Sequence, residues 1–371
     1  MAVYRIFPEK DTFIYTESAL ANTGRDAILE IGGYNTATTA NGQTRRALIQ
    51  FSTSEIRDVV SNKVGSLEFT SSLHLYVANT GNIPIDYTVF AHPVAQPWDE
   101  GTGKAGDTPT DKTGCSWTYT KASETTAWTT SGFGTNITGS STTAYPGGGS
   151  WYTGSSGNSM AFSQSFSKTT DHDINIDVRD AIVEYNAAFI PNYGFILKLS
   201  DELEFNLSSS LKLQYFSSDT NTIYPPYLEF KWDDFSYSTG SLQTVSTSEI
   251  DVNIRNRREK YINEGKNRFR LSVKDLYPTR TFTTSSIYST NKILPTASYW
   301  GLRDENTEEM VVDFDTLHTK ISADSTSNYF DIYMNGLQPE RYYRLLIKSE
   351  IDGSTNVIDG DMVFKVVRNG W

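Results

Sequence analysis

Between Trp98 and Thr130 the chain sets three tryptophans, Trp98, Trp117 and Trp128, along glycine, threonine and aspartate with almost no aliphatic residue. Such a stretch cannot build a core of its own, because its apolar area is too small to offset the entropy lost on ordering it. It must lie on a scaffold. The flanking segments, roughly residues 3–95 and 160–232, read as strands. The stretch is therefore expected to be a long connection inside one β-sandwich, an insert running from about residue 101 to 165.

The strands are short and alternate apolar with polar residues. Asp11 to Tyr15, Ala27 to Gly32, Arg46 to Phe51, Leu73 to Val77 and Tyr87 to Ala91 precede the insert. Ile174 to Val178, Tyr193 to Leu199, Leu211 to Phe216 and Pro226 to Trp232 follow it. Clusters of Gly, Asn, Ser and Pro separate them, which points to an all-β sandwich or barrel rather than parallel βαβ units. Aromatic residues make up 13% of the chain and charged ones only 20%, a mixture that suits pleated surfaces. One short helix is expected at 179–186, where Ala181, Ile182 and Tyr185 share a face. The second half of the insert, including Tyr145, Trp151 and Tyr152, is low in complexity. It reads as a flexible linker or an ordered surface loop, and its aromatic rings favour the loop.

At 371 residues the chain is too long for one ordinary domain. Residues 1–232 are expected to form the first domain, 233–248 a polar linker, and 249–371 a smaller β domain. In the latter, Ile250 to Ile254, Arg268 to Val273, Met310 to Phe314, Tyr329 to Met334, Tyr342 to Lys348 and Met362 to Val367 read as strands. The charged run Arg255 to Asn267 reads as a turn or a helix, and Asn263-Glu264-Gly265 favours the turn.

The net charge of −12 argues against nucleic acid as a partner. Cys115 is the single cysteine, so an intrachain disulfide and a cysteine zinc site are excluded and folding in a reducing cytosol is expected. The start, Met1 to Phe13, has no basic segment followed by an apolar run, so no secretory signal is expected. No apolar stretch approaches the ~20 residues that span a bilayer, so no membrane insertion is expected.

In order along the chain, Asp11-Thr12, Ile31-Gly32, Arg46 to Phe51, Leu73 to Val77, Trp98 to Gly103, Ser116-Trp117 with Trp128-Thr129-Thr130, Asn192 to Phe195 and Pro226 to Phe230 form a set. That set resembles the DNRLRE-type, carbohydrate-binding-module β-sandwiches over residues 3–232. The resemblance implies a jelly-roll-like sandwich. Asn22-Thr23-Gly24 departs from the family's Asn-Tyr-Gly, and the helix before Asn192 lacks its tryptophan. Asn335 to Pro339 before Tyr342 to Leu345 looks like the approach to the last hairpin of fibronectin- or Ig-like sandwiches. Asp251 to Ile254, Arg268 to Arg270, Tyr277 to Phe282 and Ala297 to Trp300 are similar to a region of tailed-bacteriophage virion proteins.

Catalytic constellations are hard to find. Asp99 and Glu100 are adjacent and so point apart, unlike the facing carboxylates of a glycosidase. Asp171-His172-Asp173 puts the two carboxylates on one strand face and the histidine on the other. Cys115 has no histidine in evident relation to it and reads as a buried small residue. A structural calcium ion held by Asp11 and backbone carbonyls is what the sandwich resemblance implies; otherwise no cofactor is expected. The expected function is a non-enzymatic subunit of a phage particle, in its neck, tail or capsid surface. Its expected partners are other virion proteins or further copies of itself. The alternative is a carbohydrate-binding module for glycans. Trp98, Trp117, Trp128, Trp151, Tyr145 and Tyr152 are the candidate contact residues in either case. Residues 132–158 are expected to be dispensable for folding, since loop length costs little stability.

Overall fold

The computed structural model describes residues 2–33, 43–79, 83–121, 126–131, 137–140, 147–206, 210–234, 237–255, 257–278 and 290–368. Of the described residues, 47% are strand and 8% helix, and the protein is an all-β sandwich protein as its alternating pattern predicts. The chain divides into two units, residues 6–65 with 70–229, and residues 1–5 with 66–69 and 230–371. The division follows the last strand expected for the first domain less closely than the composition suggests. Two short N-terminal pieces are counted with the smaller unit.

The first strands are β1 (Ala2–Ile6), β2 (Pro8–Tyr15), β3 (Ile28–Gly33), β4 (Arg45–Phe51), β5 (Phe69–Leu75), β6 (Val77–Asn79) and β7 (Tyr87–Pro93). The insert carries β8 (Tyr119–Lys121), β9 (Thr126–Ala127), β10 (Ile137–Ser140), β11 (Ser150–Ser155) and β12 (Asn158–Ser159). Then come β13 (Phe162–Phe166), β14 (Ile174–Asp177), β15 (Phe195–Leu199), β16 (Leu211–Phe216) and β17 (Tyr227–Trp232). The main sheet of the larger unit runs β13-β7-β15-β4-β3-β16-β6, with β2 also paired to β4. β17, β5 and β14 belong to a second sheet.

The helix expected at 179–186 is present as Arg179–Asn186, and Tyr185 is the residue that fixes it: its hydroxyl donates to the Gly194 carbonyl at 2.8 Å. Two helical pieces were not expected. Thr53–Arg57 runs on into a π-helical turn over Asp58–Val64, burying Ile56, Val59, Val60 and Val64. Asp201–Asn206 follows β15 directly.

The smaller unit has β18 (Ile250–Arg255), β19 (Lys260–Ile262), β20 (Lys266–Asp275), β21 (Ser298–Asp304), β22 (Met310–Val312), β23 (Ser322–Ala323), β24 (Asn328–Tyr333), β25 (Tyr342–Ile351) and β26 (Ser354–Val367). One sheet runs β18-β20-β24-β23 and the other β19-β26-β25-β21-β22. That is the A-B-E-D and A′-G-F-C-C′ order of immunoglobulin-type sandwiches. Its core is aromatic: Phe330 stacks on Phe269 at 5.6 Å and on Trp300 at 5.3 Å, and Phe364 closes on Phe269 at 5.5 Å. The Tyr343 hydroxyl donates to the Gln338 carbonyl at 2.9 Å, closing the corner before β25. The charged run after β18 holds a short strand, β19, and a turn at Gly265, whose φ is +70°. Residues 233–248, expected as a linker, are tied into this unit: Thr239 bridges Ala323, Thr244 bridges Ile293, and Val245 is buried.

Candidate functional site

An antiparallel sheet usually keeps one face wet. β15 departs from that rule, since all five of its residues, Phe195 to Leu199, are buried. β4 is buried on both faces as well, apart from Arg45 and Gln50. Alternation puts Arg46 and Leu48 on one face of β4, and the β4–β15 register sets Ile196 beside Leu48. This outer face is what the insert covers. Ile14, Leu48 and Ile196 from the sheet form one apolar cluster with Val94, Trp98, Cys115, Trp117 and Trp151, and Trp128 packs against its edge.

Two of the rings are held by their polar ends. The Trp98 indole N–H donates to the Tyr193 carbonyl at 2.8 Å, and that of Trp128 to the Ser116 carbonyl at 3.0 Å. Trp98, Trp117, Trp151 and Tyr152 are buried. Three of the tryptophans expected at a contact surface are thus inside the protein, and none of these three offers an exposed stacking face. Tyr145 lies outside the described residues.

Two cations sit beneath this cover. The Arg46 guanidinium forms a two-pronged pair with Glu204, Nε to Oε1 at 2.9 Å and Nη2 to Oε2 at 2.6 Å. Its remaining arm donates to the Gly148 carbonyl at 2.5 Å. Trp117 and Trp151 lie over it, their ring centroids 5.0 and 5.1 Å from Cζ. Lys198 donates to Asp201 at 2.5 Å and stands 3.5 Å from Glu204. Gly148 has φ +76°, and a Cβ there would come within 2.6 Å of the Trp117 ring, so glycine is required. The stretch 132–158, expected to be dispensable, therefore supplies Gly148 and Trp151 to the burial of Arg46.

A second fastening is Asn22, fully buried and using all four of its hydrogen-bonding positions. Nδ2 donates to the Glu100 and Cys115 carbonyls at 2.6 and 3.0 Å. Oδ1 accepts from the Gly24 and Gly103 N–H groups at 3.1 and 2.9 Å. A Cβ on Gly103 would lie 2.4 Å from the Asn22 carbonyl oxygen, which explains the glycine there.

Two titratable groups are strongly shifted. His92, on the same sheet face, is drawn down to about 4 by burial and then by Lys198, while its Nδ1 lies 3.0 Å from the Met160 carbonyl. Asp11 is pushed up to about 7 by burial, although Oδ2 accepts from the Ser218 N–H at 2.6 Å. The Asp11 N–H donates to Glu100 Oε1 at 3.1 Å, and burial raises Glu100 too. Cys115 is fully buried, burial pushes its thiol up, and it is held as the unreactive form. His172, predicted to face away from its flanking carboxylates, is buried with Nδ1 2.7 Å from the Tyr87 hydroxyl.

A calcium ion at Asp11 would need oxygen ligands around it. Among the described residues, no group of three or more His, Cys, Asp or Glu side chains converges in a metal-holding arrangement. Asp11 would thus depend on backbone carbonyls, and one of its own oxygens already accepts from Ser218.

Arg46, Glu204, Lys198 and Asn22 are not among the residues that the sequence pattern marks as candidates. A signal was present for one of them: Lys198 is the single polar residue in the otherwise apolar strand Phe195–Leu199.

No family model matches the chain, and no curated protein does. Among solved structures, a DUF4785 family protein from Legionella pneumophila subsp. pneumophila str. Philadelphia 1 aligns at 9% identity, covering 97% of this chain and 65% of that one. The TM-score is 0.16, too low to carry an argument.

Proposed function

We propose that this chain is a non-enzymatic structural subunit that works through protein–protein contacts, as a neck, tail or capsid-surface component of a tailed-bacteriophage particle. The observation that supports a structural role is the fastening of the insert. Its tryptophans are committed to Arg46 and to the sheet, so the insert is clamped cladding rather than a lid that opens over a substrate. What residues 101–113 of the insert turn outward is mostly polar, with Thr102, Lys104 to Thr110, Lys112 and Thr113 exposed. Such a surface suits hydrogen-bonded contact with neighbouring subunits. Placement in a phage particle rests on the sequence likeness of the smaller unit.

Mass spectrometry of purified particles tests the assignment, together with light scattering on the isolated chain. The expected result is the chain in stoichiometric amount in the particle, or a defined oligomer in solution. Absence from particles, or turnover of a polysaccharide by the chain alone, overturns it.

A further inference from the structure

The smaller unit carries a basic groove on a chain whose net charge is −12. β19 runs parallel to β26 with Lys260 beside Lys365, and β26 runs antiparallel to β25 with Lys365 beside Tyr342. Two lysines directly opposite each other on neighbouring strands repel. Arg257 adds a third cation to the same groove, which has a volume of about 220 Å³ and is also lined by Glu259, Val363 and Phe364. Lys365 pairs with Glu340 at 2.6 Å, and its Nζ lies 5.6 Å from the Tyr342 ring. Among the described residues no carboxylate pairs with Arg257 or Lys260. Tyr342 is 46% exposed, and Ile262, at the end of the same strand as Lys260, is 50% exposed.

We infer that this groove receives an acidic side chain, Asp or Glu, from another protein chain. Lys365 already carries Glu340, so an incoming carboxylate pairs with Arg257 and Lys260, and its methylene stem meets Val363 and the Tyr342 ring. The volume is smaller than the ~300–1,000 Å³ of drug-sized ligand sites, which suits one side chain. The three cations line one small groove, and Glu259 lines it with them. A polyphosphate backbone would meet that carboxylate repeatedly; one acidic side chain need not. The inference rests on the protein-contact reading above and names the chemistry of one contact.

Hexaglutamate titrated into the full chain at 50 and 150 mM salt, followed by nuclear magnetic resonance, is the test. Shifts are expected at Lys260, Tyr342 and Lys365. Arg257→Gln with Lys260→Gln is expected to weaken binding by about tenfold, whereas Lys274→Gln, outside the groove, leaves it unchanged. Lys260→Glu is expected to abolish it. Both altered positions are exposed, and circular dichroism verifies folding. No shifts with hexaglutamate, equal affinity of the double variant, or tighter binding of an oligogalacturonate of the same charge would each overturn the inference. None of those results alters the particle assignment, which is read from particle composition.

Discussion

Arg46 and Glu204 meet as a fully buried, two-pronged ion pair, each side chain 0% exposed. The pair bridges β4 and the helix Asp201–Asn206 across 158 positions of sequence. Breaking such a pair from one side leaves an uncompensated buried charge and costs about 3–5 kcal/mol. Glu204→Ala is therefore expected to lower urea stability by that amount. The double variant Arg46→Met, Glu204→Leu is expected to recover most of it, because no lone charge remains. A double variant as unstable as the single one would show that the pair is not what fails.

Trp117→Ala and Trp151→Ala should each cost ~3–5 kcal/mol, the usual penalty for removing a buried ring. Each also uncovers Arg46. Limited proteolysis should then cut within residues 101–165 before any other site. Unchanged cleavage and melting temperature would refute the clamp.

His92 gives a pH dependence whose direction is fixed. Its folded pKa is about 4, below the ~6.5 of an unfolded histidine. The unfolded chain takes up a proton first, so stability is lost as pH falls from about 6.5 towards 4. His92→Gln is expected to flatten that limb in chemical denaturation at pH 4.5, 5.5 and 7.

Asp11 acts in the other direction. Its folded pKa of about 7 lies above the ~4 of an unfolded aspartate, so its contribution is full below pH 4 and is lost as pH rises through 7. Asp11→Asn is expected to be the more stable protein at pH 8, by on the order of 1–3 kcal/mol, with no advantage at pH 4. A calcium ion at this position reverses the sign at pH 8: the variant becomes the less stable, and added calcium raises only the unaltered protein's melting temperature.

Tyr343→Phe removes one hydrogen bond, to the Gln338 carbonyl, and leaves the ring packed on Phe364. A loss of about 1 kcal/mol is expected, read as a lower urea midpoint of the smaller unit. No change would mean that the corner is held by packing alone.

Most strands outside the insert were legible because alternation reports the buried face wherever one face is wet, whereas β8 to β13 lie in a stretch of Gly, Ser and Thr that reads as loop. β21 was not read as a strand: Gly301 interrupts it, although its Trp300 proves central to the core. The turns at 53–64 carry Ile56, Val59, Val60 and Val64 at helical spacing, a pattern present in the sequence but short. That the tryptophans needed a scaffold followed from composition; that they would meet a guanidinium did not. Local pattern assigns Arg46 to the polar side of a strand. Only the tertiary arrangement, with Glu204 brought from far along the chain, makes that side an interior.

The four hydrogen bonds of Asn22 bear on how this insert can be moved. Its cladding is not a transplantable cassette: a loop cut out at residues 98–160 would arrive on another sandwich without its fastenings. Arg46 and Lys198 belong to the host sheet, Asn22 to the loop between β2 and β3, and Glu204 to the helix after β15. Any ancestor that gained this loop, and any engineer who regrafts it, must install those four residues along with it.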